Sequence, residues 1–375
     1  MTNQRRVSRR MFLGGSIGVA GLASNLVALS IGPKPVEAAP AIITIPNITE
    51  ASIASKTPGL PPSSILASLP FMGPVDPKAN GFDPAKILTV PNAGKASRLP
   101  TGQVLREYIL TATNKTILVA PGKQFDALAY NGQVPGPTLR ANAGDHIRIT
   151  LINKSDTAHG LNFSGIHSGV KDALSQPVAP GKSMVYEFDA APFGLYIYRG
   201  IALPLNASAF KGLYGTLIVD PPQPRPLATE LFMTLNGFSL GDSNNSTKIS
   251  PDTNSTKVSL DAAPPDSNDI YTINTVAYQF VKNPIPIGLN KLVRVYIVNV
   301  TEFDLLNSFH LHSNVFNIYR SGTSLKPDGI NSTVMLGPGQ RAILEFSFKA
   351  PGQYMFHAYQ GEYAVLGCMG IFNVK

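Results

Sequence analysis

The chain has one cysteine, Cys368, no tryptophan, and charged residues make up only 14% of it. A single cysteine cannot close an intramolecular disulfide, so a disulfide scaffold is excluded. Cys368 reads instead as a small apolar side chain buried on the last strand. Histidine is also scarce: His146, His159, His167, His310, His312 and His357 are the whole set. Long apolar runs are nearly absent. The one stretch of note runs from Met11 to about Leu29 and is broken by Gly14, Gly15, Ser16, Gly18, Gly21 and Ser24, which makes it a poor membrane-spanning helix. It follows Ser8-Arg9-Arg10 and ends near Val36-Glu37-Ala38, the pattern of a twin-arginine export signal over residues 1–38.

That leader carries Arg5, Arg6, Arg9, Arg10 and Lys34 against Glu37, so half of the formal charge of +8 leaves with it. No basic cluster interleaved with aromatics remains, which argues against a nucleic-acid partner. What is abundant is turn-forming residue, with Gly 33 and Pro 32, as a β-rich protein needs. The length allows two domains, each with its own core.

The mature chain repeats itself. Ala179-Pro180-Gly181, Tyr186-Glu187-Phe188 and Gly194-Leu195-Tyr196-Ile197-Tyr198 recur as Gly337-Pro338-Gly339, Leu344-Glu345-Phe346 and Gly352-Gln353-Tyr354-Met355-Phe356. Each copy closes on a glycine-containing strand, Tyr214-Gly215-Thr216-Leu217-Ile218-Val219 and Met369-Gly370-Ile371-Phe372-Asn373-Val374. Two copies of one β module follow from this. Within the frame, Asn162-Phe163-Ser164 lies where His310-Leu311-His312 lies, and Arg199-Gly200-Ile201 lies where His357-Ala358-Tyr359 lies.

Around these copies, residues 39–103 are rich in Pro, Ser, Ala and Gly and read as a surface arm or linker. Arg106–Leu110 and Lys115–Val119 read as two short strands. His146–Leu151 alternates, which places His146 with Arg148 on the solvated face. Residues 241–269 read as an exposed polar loop. The module boundaries fall at 104–222 and 223–375. Ten Asn-X-Ser/Thr triplets, at Asn47, Asn114, Asn153, Asn162, Asn206, Asn244, Asn245, Asn254, Asn299 and Asn331, are glycosylation candidates for an exported protein.

Pro135-Gly136-Pro137-Thr138-Leu139-Arg140, Phe309-His310-Leu311-His312 and Lys211-Gly212-Leu213-Tyr214-Gly215 resemble the two-domain multicopper oxidases, relatives of the copper nitrite reductases. The resemblance runs from about Leu105 to Lys375. It implies an all-β chain of two tandem cupredoxin-like Greek-key sandwich or barrel domains. It also implies copper. An entry copper takes two histidines and a Cys thiolate, and the laccase-like members add a three-copper cluster held by eight histidines. The six histidines here fall short of that count.

Carried over position by position, the first cluster pair falls on Asn162 and Ser164 and the second on Arg199 and Ile201. The entry thiolate falls on Gly200, which has no side chain. Other family histidines fall near Ser208 and Phe210. His310 and His312 stand as an intact pair, while the last pair keeps His357 and has Tyr359 for its partner. His159 matches an entry-copper histidine, and His167 lies near the family's substrate channel. In a family-type trimer, Arg199 would approach the three histidines of the next subunit and favour an anion over a cation. Asn162 and Asn206 are triplets at or beside ligand positions, where a glycan would obstruct a buried site.

The expectation is an exported cupredoxin-fold protein with mostly replaced copper ligands, carrying either no cofactor or one copper or zinc ion at His310, His312 and His357. Laccase and nitrite-reductase turnover are expected to be absent. Its role is structural or binding, as a homotrimer or as the partner of an active paralogue, with no membrane span once the leader is removed. The alternative is a copper-dependent oxidoreductase with a mononuclear three-histidine site at a subunit interface.

Overall fold

The computed structural model describes residues 66–76, 78–166, 177–201, 211–240 and 267–375. The leader, His167, Ser208, Phe210, Asn47, Asn206, Asn244, Asn245 and Asn254 lie outside the described residues. In chain order the elements are α1 (Pro84–Thr89), β1 (Lys95–Arg98), β2 (Val104–Ala120), β3 (Lys123–Tyr130), β4 (Leu139–Asn142), β5 (His146–Asn153), β6 (Gly160–Phe163), β7 (Ser183–Asp189), β8 (Gly194–Ile201) and β9 (Tyr214–Asp220). There follow β10 (Thr229–Phe238), β11 (Ile270–Ile273), α2 (Gln279–Lys282), β12 (Asn283–Ile287), β13 (Val293–Asn299), β14 (Asn307–Leu311), β15 (Phe316–Arg320) and β16 (Gly329–Asn331). The chain ends with β17 (Thr333–Leu336), β18 (Arg341–Phe346), β19 (Gly352–His357), α3 (Gly361–Val365) and β20 (Met369–Val374).

These strands make two pairs of sheets. In the first half, β1-β2-β5-β7 with β3 faces β4-β9-β8-β6; in the second, β11-β10-β13-β18-β15-β16 faces β12-β20-β19-β14-β17. The all-β, cupredoxin-like fold is as expected. The pairing repeats as well: β2 runs parallel to β5 and β10 parallel to β13, while β8–β9 and β19–β20 are antiparallel. Among the described residues no helix is long and apolar enough to cross a membrane.

Alternation fills the cores. Ile147, Ile149 and Leu151 point inward from β5 and are fully buried, while His146, Arg148 and Thr150 point out. In the second half Phe309, Leu311, Phe356 and Phe372 share one apolar cluster, each worth about 1.5–3 kcal/mol of burial. The glycines that close each repeat have a steric reason. Tyr198 pairs with Gly215 and Phe356 with Gly370 across the strands. A Cβ on either glycine would stand 2.3 Å from the facing ring.

Three expectations need correction. Residues 104–120 form one strand, because β2 pairs with β5 along its first part and with β3 along its second. The sequence in between, Thr111–Asn114, carries no breaker. The later part of the expected arm is tied into the fold: β1 pairs with β2, and the Asn80 side chain both donates to Leu118 O and accepts from Leu118 N. Asn153 and Asn299 are not free surface acceptors, since both are fully buried.

These two asparagines are one device used twice. Asn153 donates through its amide to Thr157 O and Val178 O, and its oxygen accepts from Ser155 N. Asn299 donates to Leu336 O and accepts from Thr301 N. The Pro-Gly turns close on the same residues, Gly181 N donating to Asn153 O and Gly339 N to Asn299 O. The Ser and Thr of each triplet thus take part in an Asx turn rather than marking a glycan. Asn331, by contrast, is exposed.

At the junction of the halves, Arg140 bonds both Asp220 and Glu230, and Arg294 bonds both Glu230 and Glu345. Nearby, Phe232, Tyr296 and Ile343 of the second half pack on Leu195, Ile197 and Ile218 of the first. We expect Asn299→Ala to lower stability by about 1–3 kcal/mol, the cost of stranding buried backbone groups. Denaturant unfolding of the two proteins measures it, and an unchanged midpoint would contradict the role assigned to this side chain.

Candidate metal centre

The candidate centre is set by strand register. His310 on β14 stands directly opposite Thr333 on β17 and His357 on β19, and His357 stands opposite Met369 on β20. Directly opposed residues share a face, so these four form one row across the sheet. Phe309, Leu311 and Phe356 point into the core. His310, His312 and His357 therefore project from the other face. One end of that face is covered, where Met355 and Met369 join a cluster with Phe125, Ala127 and Tyr214 of the first half. The histidine end stays half-exposed.

One ligand atom from each ring lies within 4.8 Å of the others. His312 Nε2 and His357 Nε2 are 2.8 Å apart, and the ring centroids stand 5.0–5.3 Å from one another. The outer nitrogens are held by acceptors. His357 Nδ1 donates to Ala358 O at 2.6 Å, and His310 Nδ1 donates to Ser332 O at 3.0 Å with Thr333 Oγ1 at 2.8 Å. A carbonyl can only accept, so the proton sits on Nδ1 of both rings. Their Nε2 lone pairs are then free to face inward. This is the outer-shell arrangement that orients metal-bound imidazoles.

His357 Nε2 accepts from His312 Nε2, so one proton occupies the place a cation would take between them. Burial, joined by the neighbouring rings His357 and His310, lowers the pKa of His312. Burial lowers that of His357 too, His310 adding to it and the bond to Ala358 opposing it. Both effects favour the neutral, ligating form. Zn–N bonds of about 2.0–2.1 Å set tetrahedral ligand nitrogens roughly 3.3–3.4 Å apart, so on one ion the His312–His357 pair would open from 2.8 Å and the wider spacings, which reach no more than 4.8 Å, would close. The residues fit a single ion and leave a coordination position toward solvent.

The first half carries the same geometry with different chemistry. Asn162 pairs with Arg199, and Arg199 with Tyr214, the counterpart of the His310–His357–Met369 row. Ser164 Oγ donates to Asn162 Oδ1 at 3.3 Å. Arg199 is exposed and lies near enough to Glu302 to oppose the burial that raises that carboxyl. Gly200 and Ile201 are buried. No ligand set forms here among the described residues.

His159 is separate from the three-histidine group. It is 1% exposed, its Nε2 meets Ser155 Oγ at 2.8 Å and Thr157 Oγ1 at 3.0 Å, and its buried Nδ1 has no partner among the described residues. Cys368 is fully buried in the core of the second half, where burial pushes its thiol up to about 12. A thiol so placed is not a thiolate ligand. His146 pairs with Asp189 at 2.8 Å on the outer face of β5. Sequence reasoning missed Ser332, Thr333 and Ala358, which orient the rings. Their role comes from strand pairing and a turn, and no residue-type pattern announces it.

Comparison with known proteins agrees with this architecture. Multicopper oxidase family models match residues 111–224 and 246–375. The chain belongs to the multicopper oxidase family. A crystal structure of a multicopper oxidase is 38% identical, superposes with a TM-score of 0.73, and is covered in full by 80% of this chain. The copper-containing nitrite reductase of Neisseria meningitidis serogroup B is 25% identical over 250 residues, 65% of this chain and 62% of that protein. The L-ascorbate oxidase of Cucurbita maxima is 41% identical over 104 residues, 26% of this chain and 17% of that enzyme. The chain thus spans less than two thirds of these curated relatives.

His159 also generates a test. Burial lowers its pKa to about 4, against about 6.5 unfolded. The unfolded chain therefore binds a proton that the folded chain refuses. Stability rises with pH between about 4 and 6.5 and is lost on going back down, on the order of 3 kcal/mol from this group. We expect His159→Gln to flatten the pH dependence of the unfolding free energy across that window. An unaltered slope would contradict the assignment.

Proposed function

We propose that this protein is a single-ion member of the multicopper oxidase family, binding one copper or zinc ion at His310, His312 and His357 and serving a binding or structural role. The observation that carries the proposal is the contrast between the two equivalent rows. In the second half three neutral imidazoles converge, and in the first the same register holds Asn162 and Arg199. Gly200 supports the absence of an entry copper, because an entry copper needs a thiolate that also conducts electrons onward. Bound at this site, an ion would supply Lewis acidity or a redox couple. The chain's own residues would hold it, with Ser332, Thr333 and Ala358 fixing the ring orientations.

The family resemblance extends the proposal to an exported location, by way of residues 1–38, and to a homotrimer or an assembly with an active paralogue. A second reading, a copper-dependent oxidoreductase with this mononuclear site at a subunit interface, is supported by the half-exposed rings, which leave room for a substrate.

We expect the mature chain to take up one equivalent of copper(II) and His312→Ala to lose at least about tenfold in affinity, since loss of even an outer-shell partner of a metal site costs about 10–100-fold. Equilibrium dialysis with metal analysis measures both. We expect no intense blue thiolate absorption and no oxidation of phenols or reduction of nitrite. Blue colour would overturn the single-ion assignment, and sustained turnover without it would establish the second reading in place of the first.

A further inference from the structure

The sheet edges on either side of Ser332 lack the protection that exposed edges ordinarily carry. Among the described residues β16 ends one sheet of the second half and β17 ends the facing one, and only Ser332 separates the two strands. The chain thus passes from one sheet edge to the other at this corner. Residues Gly329 to Leu336 include no charged residue and no proline, two of the devices that keep a free edge from pairing with another chain. Ile330 is 67% exposed and Met335 41%. Val315, next to the Phe316 that stands opposite Asn331, is 55% exposed. A short uncharged strand-forming run with exposed apolar side chains is a site of self-association.

Asn331 opens the triplet Asn331-Ser332-Thr333 at that corner. Like Asn153 and Asn299 it ends a strand and closes an Asx turn, its Oδ1 accepting from Ser332 N at 2.8 Å and from Thr333 N at 3.3 Å. The difference lies in the amide nitrogen. In Asn153 that nitrogen is committed to Thr157 O and Val178 O, and in Asn299 to Leu336 O, and both residues are fully buried. Asn331 is exposed, and its Nδ2 makes no hydrogen bond to the described residues. The turn holds its oxygen and leaves its nitrogen available.

We propose that Asn331 is N-glycosylated and that its sugar covers the adjoining edges of β16 and β17. This rests on the exported location proposed above, because the triplet is an acceptor on the surface of secreted proteins. The donor is a lipid phosphate-linked oligosaccharide. The bond from Asn331 Nδ2 to the first sugar carbon forms as that carbon's bond to a phosphate oxygen breaks. The amide gives up one proton, and the phosphate leaves on its lipid. The product is bulky and solubilising, so it stands over Ile330, Val315 and Met335 and excludes an incoming strand. It does at this corner what charge or proline does at other edges.

The test compares the protein recovered from its native cells with Asn331→Ser made in the same cells. Serine keeps an acceptor oxygen for the turn, adds no charge, takes no N-linked sugar, and leaves Thr333 and its contact with His310 in place. Mass spectrometry of the exported chain is expected to find sugar on Asn331 and none on Asn153 or Asn299, and Asn331→Ser is expected to lose that mass. Light scattering is expected to show Asn331→Ser associating at concentrations where the wild type keeps its native size. Wild type made in cells without the glycosylation machinery is expected to behave as the variant does. An exported chain with a bare Asn331 would overturn the inference and leave export standing. A chain retained in the cytoplasm would overturn both. Sugar whose loss leaves association unchanged would overturn the covering role.

Discussion

The antiparallel pairing of β14 with β19 is the constraint from which the candidate site follows. It sets His310 opposite His357, and the two-residue period of the strand brings His312 to the same face. A slip of one residue would send His310 and His312 into the core and Phe309 and Leu311 into solvent. The apolar cluster of Phe309, Leu311, Phe356 and Phe372 forbids that slip. Burial on one face of the sheet therefore fixes the donor atoms on the other. Gly370 belongs to the same constraint, because only a residue without a Cβ lets the Phe356 ring lie across β20.

The same register in the first half carries no histidines, which makes that half an internal control. Tyr198 over Gly215 repeats Phe356 over Gly370, and Asn153 in its turn repeats Asn299. The two modules agree where packing and backbone hydrogen bonding decide stability. They differ at Asn162, Ser164, Arg199 and Gly200, which face away from packing or ask for no side chain. A fold of this kind tolerates either set, since ligand positions on an outer face contribute little to the core. Chemistry can then change while the scaffold stays, and membership of the multicopper oxidase family does not by itself fix an activity.

Much of this was legible in the residues. The Pro-Gly turns, the closing glycine strands and the alternation of His146–Leu151 foretold the sheets, because turn chemistry and period-two patterning are local signals. His310 and His312 were legible as a pair from their spacing, and His357, 45 residues beyond His312, joined them only through the family resemblance. What was not legible depends on partners distant in sequence. The triplets at Asn153 and Asn299 look like glycan acceptors until the buried carbonyls of Val178 and Leu336 are in place. Residues 104–120 look like two strands until β3 and β5 supply two different neighbours for one. The Ser332 and Ala358 carbonyls, which orient the imidazoles, offer no side-chain signature at all.

The most direct test is electron paramagnetic resonance of the mature protein loaded with one equivalent of copper(II). The account predicts one cupric centre with superhyperfine coupling to three imidazole nitrogens and no copper–thiolate signature. A narrow-hyperfine blue-copper spectrum, or spectra unchanged between the wild type and His312→Ala, would contradict it.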